Sequence, residues 1–357
     1  MKTSVLKTSF KVFGVFAIVL TLMPFVAVNY WWIRMFDFPH LQLTFLTSLA
    51  ILLYVIRFDF RAWQDYVFIA VLIGCVLFQF TKIYPYTAFS DYEVLEADSV
   101  SSLKFYTANV HQKNQETSKL ISQIDAMNAD VMLFTEVNNF WQNTISNQIS
   151  KDYKYHIKFP LNNTYGMALY SKLPLVDSKV RFLVSDSIPS IHTKVEISPN
   201  NLIQIYAIHP TPPMPSENPM STDRDSEMMQ IAFLARDSKL PVVVIGDFND
   251  VAWSETSRLF QRVSGLLDLR KGRGLFNTYS AKSYILRWPL DHIFISEEFR
   301  HVAAKTGNDI NSDHFPFYAE LSFEPNIAEA QLPKPPSNED LKNAKKQALR
   351  GKRNIEN

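Results

Sequence analysis

Three apolar runs crowd the first 84 residues, at 12–30, 41–56 and 66–84. Their lengths of 19, 16 and 19 residues sit near the roughly 20 that a helix needs to cross a bilayer. Lys82 is the one charged residue inside them. None keeps the polar face that a helix on a soluble surface requires. The pattern predicts a membrane domain over residues 1–88 with three transmembrane helices, at about 12–30, 41–56 and 66–84. Lys2, Lys7 and Lys11 precede the first run, and Arg57 and Arg61 separate the second from the third, against Arg34 alone in the intervening loop. Lys and Arg gather on the cytoplasmic side of spans. That bias puts the N-terminus and residues 57–61 in the cytoplasm and everything after residue 84 outside it. Cleavage of the first run as a signal peptide would leave the same final side. Trp31, Trp32 and Trp63 suit anchors at the membrane interface.

Past these runs the charge changes sign. Residues 1–88 carry 7 Lys/Arg against 3 Asp/Glu, residues 89–324 carry 22 against 28, and residues 325–357 carry 7 against 4. An acidic central domain lacks the broad basic footprint of a general nucleic-acid binder. It suits a site that concentrates divalent cations. Cys75, the single cysteine, excludes an internal disulfide framework and a cysteine metal cluster. Residues 85–102 read as a short polar tether. Residues 326–357, with Pro333, Pro335, Pro336 and few large apolar side chains, read as a disordered basic tail.

Between these segments, residues 89–325 alternate short strands with helices. Residues 103–109, 131–134, 166–170, 194–197, 202–208, 242–245, 292–296 and 315–323 have strand composition. Residues 118–127 and 226–236 carry helical periodicity. Many short strands with few helices favour a two-sheet α/β sandwich flanked by helices over a doubly wound sheet. No glycine-rich nucleotide loop is present in a chain with 9 glycines. Polar residues recur where the strands end: Asn109, Glu136, His209, Asp247 with Asn249, Asp291, and Asp313 with His314. A spacing of two aims Asp247 and Asn249 the same way along an extended chain. Any one of these reads as a turn or cap residue. Six strand ends carrying carboxylates, amides and imidazoles are hard to explain by turn chemistry.

These segments together resemble the endonuclease/exonuclease/phosphatase superfamily, over roughly residues 103–323. The stretches that carry the resemblance are Tyr106-Thr-Ala-Asn-Val110, Asp130-Val-Met-Leu-Phe-Thr-Glu136, Tyr165-Gly-Met-Ala-Leu-Tyr-Ser171 and Tyr206-Ala-Ile-His-Pro210. Gly246-Asp-Phe-Asn249, Leu290-Asp-His-Ile-Phe-Ile-Ser296 and Ser312-Asp-His-Phe-Pro316 complete the set. With its N-terminal runs the chain looks like the bacterial membrane-anchored branch. The resemblance implies a four-layer α/β/β/α sandwich preceded by three transmembrane helices. It also implies a catalytic domain over residues 89–325, outside the cytoplasm on the bacterial inner membrane.

The implied activity is hydrolysis of a phosphoester with Mg2+ or Mn2+. The substrate classes are nucleic acid, a phospholipid head group or a small phosphate ester, with no obligate protein partner evident. By the same resemblance Glu136 would hold the metal with help from Asn109, and Asp313 would contribute. His314 would be the general base or a phosphate stabiliser, oriented by Asp291. Asp247 would position the attacking water, and Asn249 and His209 would hydrogen-bond the phosphoryl oxygens. Elementary chemistry agrees: magnesium takes hard oxygen ligands and keeps several waters, so few protein ligands suffice. An imidazole changes protonation near neutral pH, and a neighbouring carboxylate fixes its tautomer.

One stretch departs from the pattern. Many relatives place a further acidic ligand after the first Asn, where residues 110–117 offer His111, Asn114 and Glu116 with no clear counterpart. The number of metals stays open. His292 follows Asp291 on a strand, points the other way and reads as structural. The alternative reading is a catalytically silent, membrane-anchored binding or scaffold protein on the same fold. The intact motif residues weigh against it.

Overall fold

In the computed structural model, which describes residues 2–26, 28–99, 101–149, 151–199 and 201–352, the first apolar run forms α1 (Lys2–Leu22). A short α2 (Trp31–Arg34) and a 3-10 turn (Met35–Asp37) lead into α3 (His40–Val55), followed by α4 (Trp63–Ile83). Two helices, Val5–Phe25 and Trp63–Tyr86, are long and apolar enough to cross a membrane. α3 has 16 residues and is bent by 75° from the turn before it. Three spans arise only if that bent pair counts as one. Pro39 caps α3; lacking an N–H, it cannot continue the preceding turn as helix. Polar contacts tie the helices together. Lys7 pairs with Asp65, and the buried Gln79 donates from Nε2 to Thr21 Oγ1 (2.6 Å) and Thr47 Oγ1 (3.2 Å). Side-chain hydrogen bonds of this kind act as glue where water is scarce.

The second part opens with β1 (Leu103–Asn109), α5 (Ser118–Met127), β2 (Val131–Thr135) and α6 (Asn139–Ile149). Then come β3 (Tyr155–Phe159), β4 (Met167–Ser171), β5 (Leu175–Phe182), β6 (Pro189–Ser198) and β7 (Asn201–Ile208). α7 (Thr222–Arg236), β8 (Val242–Asp247), α8 (Glu255–Ser264) and β9 (Leu267–Asp268) follow. β10 (Asp291–Ile295), β11 (Phe299–Thr306) and β12 (Phe317–Phe323) close the sheets. One sheet has the order β11-β12-β1-β2-β4-β3 and the other β5-β6-β7-β8-β10-β9.

The apolar faces of the sheets meet. Phe105, Leu133 and Leu169 of the first pack with Ile205, Val243 and Ile293 of the second. α5 and α6 cover the outer face of the first sheet, setting Leu120, Ile124, Trp141 and Ile145 on Tyr106, Met132 and Phe134. α7 and α8 cover the second, setting Met228, Ile231, Leu259 and Phe260 on Tyr206, Val244 and Phe294. The result is a helix–sheet–sheet–helix sandwich. Strands buried on both faces need apolar residues at every position, which is why 242–245 reads as an unbroken Val/Ile run.

Two expectations fail. Residues 85–102 are not a loose tether: Tyr86 and Val94 are buried, and the Tyr86 hydroxyl donates to the Ala252 carbonyl (2.9 Å). Residues 326–352, the described part of the expected 326–357 tail, are not disordered either. They form a 3-10 segment (Pro325–Gln331) and α9 (Asn338–Lys352), whose Ala344 and Ala348 are buried with Met228 and Ala232 of α7. Leu341, Ala344 and Ala348 make a narrow stripe at helical spacing, too small to lift the hydropathy of a lysine-rich segment. Ser337 and Asp340 cap α9 reciprocally: the Asp340 N–H donates to Ser337 Oγ, and the Ser337 N–H to Asp340 Oδ2, each at 3.1 Å. Residues 353–357 of the expected tail lie outside the described residues.

Candidate active site

Along one edge of the sandwich the inner faces stop being apolar. Inward positions alternate along a strand. In β1 they run Phe105, Thr107, Asn109; in β8, Val243, Ile245, Asp247; in β10, which runs the other way, Ile295, Ile293, Asp291. In β7, Ile203, Ile205 and Ala207 point inward, and His209 follows in the same phase. β8 and β10 pair antiparallel with Asp247 opposite Asp291. β1 and β2 pair parallel with Asn109 opposite Thr135, so Glu136 opens the next loop at the same level. Period-two geometry thus gathers these side chains between the sheets. Gly246 has φ +150°, and a Cβ there would stand 1.9 Å from the Ile208 carbonyl oxygen. Only glycine lets β7 and β8 approach closely enough to set His209 beside Asp247. Glu136 and Asn249 adopt left-handed φ of +59° and +50°. Asn tolerates this, but for Glu it is uncommon, and such backbone concentrates at functional sites.

The contacts are close. His314 Nδ1 lies 2.8 Å from Asp291 Oδ2, and His314 Nε2 lies 3.6 Å from Asp247 Oδ2. His209 Nε2 approaches that same Asp247 oxygen at 3.7 Å. Asn109 Nδ2 donates to Glu136 Oε1 (3.0 Å) and to Asp247 Oδ2 (3.1 Å), and its Oδ1 accepts from the His111 N–H (2.9 Å). The Gln112 N–H donates to Glu136 Oε2 (3.0 Å). The Asn249 N–H donates to Asp247 Oδ1 (3.0 Å), and Asn249 Nδ2 donates to the Pro210 carbonyl (2.9 Å). Asp313 Oδ1 stands 3.3 Å from His111 Nδ1. All eight residues singled out from the sequence are therefore together. Asn109, Glu136, His209, Asp247, Asn249, Asp313 and His314 line one cleft of about 650 Å³, and Asp291 stands behind His314.

Electrostatics sharpen this picture. Burial alone would lower the His314 imidazole, but the Asp247 and Asp291 carboxylates, with Asp313 beyond, raise it to about 10. Burial pushes the Asp291 carboxyl up; the His314 imidazolium opposes this and Asp247 adds to it. Both carboxylates thus favour the charged imidazole, whose Nδ1 meets Asp291 and whose Nε2 faces Asp247.

Asp247, Asp291 and His314 offer ligand atoms within 4.8 Å of one another. Asp291 Oδ1 is buried without a hydrogen-bond partner among the described residues. Glu136, Asp313 and Asn109 add hard oxygen donors, the kind that magnesium and manganese take. The residues present fit a divalent cation. Of the candidates in 110–117 only His111 reaches the cleft. Asn114 Nδ2 donates to the Ile310 carbonyl (3.2 Å), and Glu116 Oε1 accepts from the Ser118 N–H (3.1 Å) at the surface. His292 turns away as expected, its ring on the Asp250 carbonyl (Nε2, 2.9 Å) and Arg270.

Other contributors had no clear signal in the sequence. Arg224 of α7 is buried; its guanidinium donates to the Asn249 carbonyl (2.9 Å) and pairs with Asp225 (2.9 Å) and Asp250 (3.2 Å). It clamps the loop that follows Asp247 and carries Asn249. An arginine among Asp223, Asp225 and Glu227 reads instead as a solvated helix face. Tyr279 lays its ring 5.0 Å from that of His314. Trp31, Met35 and Phe38 also line the cleft. Their segment is fixed to the sandwich by the Trp31 N–H on the Pro219 carbonyl (2.8 Å), Trp253 Nε1–H on the Asp37 carbonyl (2.9 Å) and the Phe38 ring against Trp288 (5.6 Å).

A profile described as the Endonuclease/Exonuclease/phosphatase family matches residues 106–314. No curated protein matches the chain. Similar solved structures include the endonuclease/exonuclease/phosphatase from Beutenbergia cavernae, 15% identical over 62% of this chain and 72% of that one, with TM-score 0.50. D. rerio TDP2 complexed with single strand DNA product is 14% identical over 62% and 99%, with TM-score 0.52. The human Nocturnin catalytic domain with bound sulfate anion is 17% identical over 67% and 99%, with TM-score 0.50. At these identities the likeness is one of fold.

Proposed function

Because the chain belongs to the endonuclease/exonuclease/phosphatase family, whose members are phosphoesterases, we propose that it hydrolyses a phosphoester by water attack in the cleft between its sheets. The observation that carries this reading is the Asp247–His314–Asp291 cluster facing the Glu136–Asn109 pair across one strand edge. A bound Mg2+ or Mn2+, held by Glu136 with Asn109 and Asp313, would offset charge on the phosphate and on the leaving oxygen. Asp247 lies next to both histidines and can hold the attacking water by its carboxylate. Its own N–H contact from Asn249 keeps that carboxylate turned toward the cleft. His314, held by Asp291, is placed to donate from Nε2 to a phosphoryl oxygen, while the Asp247 carboxylate takes the proton that the attacking water gives up. His209 and the second amide hydrogen of Asn249 supply further donors for developing charge on phosphorus.

The same reading anchors the enzyme in a bacterial inner membrane through α1, α3 and α4. The end of α4 and the start of α3 pack on Val251, Ala252 and Trp253 of the sandwich through Ile83 and Leu41. Lys7, Arg57 and Arg61 lie at the other end of the helices, so the positive-inside bias supports a sandwich outside the cytoplasm.

The test is hydrolysis of bis(p-nitrophenyl) phosphate and p-nitrophenyl phosphate by the full-length protein in detergent. Activity should need Mg2+ or Mn2+, vanish in EDTA and return with added cation. His314→Ala and Asp247→Asn should each lower kcat by about a hundredfold or more. Folded protein with no cation-dependent hydrolysis of either ester sinks the reading.

A further inference from the structure

We propose that the natural substrate is an amphiphile, a phosphoester whose apolar part stays in the bilayer beside the cleft. This rests on the phosphoesterase and membrane readings above and narrows them to one substrate class. The cleft joins polar residues such as Asp247 and His314 to a set of large apolar ones, Trp31, Met35, Phe38, Met214 and Trp288, with Lys113, Ser216 and Glu217 as exposed polar residues of the same lining. Met35 and Met214 are 50% and 48% exposed. Large apolar side chains left open beside a phosphate site match a ligand that joins a phosphate to an apolar group. A strand of nucleic acid asks for a different rim, with Lys and Arg tracking its backbone. Among the described residues the cleft lining holds one lysine, Lys113, and no arginine.

The apolar wall is also continuous with the membrane helices. Phe38 stands two residues before α3 begins at His40. Gln42, in the first turn of α3, donates from Nε2 to the Ile285 carbonyl (2.8 Å). There the loop presents Tyr284 and Ile285, 93% and 76% exposed. An apolar loop tip beside the entry of a membrane helix has an apolar surface to lie on. On the membrane reading above, the cleft and this tip both lie beside the start of α3. A head-group phosphate can reach Asp247 and His314 while its chains remain against Trp31 and Met35.

Full-length protein in phosphatidylcholine nanodiscs tests this with paired probes: phosphatidylglycerol and phosphatidic acid against their deacylated counterparts, glycerophosphoglycerol and glycerol 3-phosphate. Single-stranded DNA and bis(p-nitrophenyl) phosphate complete the set. The acylated member of at least one pair should turn over about a hundredfold faster than its partner, because only it gains apolar burial against these side chains. Met35→Ser and Met214→Ser, both at half-exposed positions, should each lower that ratio several-fold with an unchanged melting temperature. Equal turnover within both pairs, faster cleavage of DNA, or hydrolysis of the aryl ester alone overturns the proposal and leaves the phosphoesterase reading standing. Turnover of no probe at all overturns both.

Discussion

At the residue scale, His314 sits between two carboxylates, and removing one has a definite direction. Asp291→Asn takes away one of the charges that hold the imidazole at about 10. The variant should titrate His314 at lower pH in a histidine NMR experiment, and the alkaline limb of its pH–rate profile should move the same way. Its kcat should fall by about a hundredfold. Glu227 makes a second case, outside the cleft. It is wholly buried on α7, neither carboxyl oxygen has a partner among the described residues, and burial, with Asp223 adding, raises it from 4.5 to about 8. The folded state therefore binds a proton that the unfolded state releases between those values. Stability is fully present below the unfolded value and is lost as pH rises through the folded one. Glu227→Gln should remove this slope and raise stability at pH 7 by up to about 3 kcal/mol. Melting curves from pH 5 to 9 check it: the loss of stability with rising pH should be smaller in the variant than in wild type. The candidate residues were legible because they cluster at strand boundaries: Asn109, Glu136, His209, Asp247 and Asn249 at or just past strand ends, Asp291 at the start of β10, and Asp313 with His314 just before β12. Arg224 was not, because its burial depends on Asp250, 26 positions further along the chain.

At the scale of elements, strands were easier to read than small-residue helices. A run such as 242–245 declares itself by composition, and pairing then sets Asp247 opposite Asp291. α9 hid because its contact with α7 is made through two alanines, which contribute little hydropathy to a stretch holding Lys342, Lys345 and Lys346. That contact can be broken by charge. Ala344→Asp would bury a carboxylate against Met228 and Ala232, which costs several kcal/mol unless the helix leaves its site. Trypsin should then cleave the variant at Lys342, Lys345 or Lys346 under conditions that leave wild type intact. Equal cleavage of the two proteins would mean that α9 does not hold to α7. The bend before α3 was equally hard to read, since an apolar run of 16 residues gives no sign that it joins a turn committed to the sandwich.

At the scale of the whole molecule, hydropathy divides the chain cleanly near residue 89, but the packing does not. Ile83 and Tyr86 share one buried cluster with Val251, Ala252, Trp253 and Leu290, and Phe38 and Leu41 pack against it. Contacts between positions some 170 or more apart leave no mark in local composition, so Trp31 and Tyr86 read as interface and linker residues. The seam also touches the chemistry. Residues 247–253 are held at one end by Arg224 on the Asn249 carbonyl and at the other by Trp253 on the Asp37 carbonyl. Excising residues 89–325 removes the second hold, uncovers Trp253 and Leu290, and strips α9 from α7. The fragment should melt below the full-length protein and bind a hydrophobic dye that the full-length protein in detergent does not. It should also lose kcat on bis(p-nitrophenyl) phosphate more than KM, because the loop that follows Asp247 and carries Asn249 is freed while the strand-borne residues stay in place. A fragment with full kcat and no dye binding would show that the N-terminal helices act as a tether alone. A fragment restored by adding back residues 29–88 would show that the turn at Trp31 to Phe38 completes the catalytic domain.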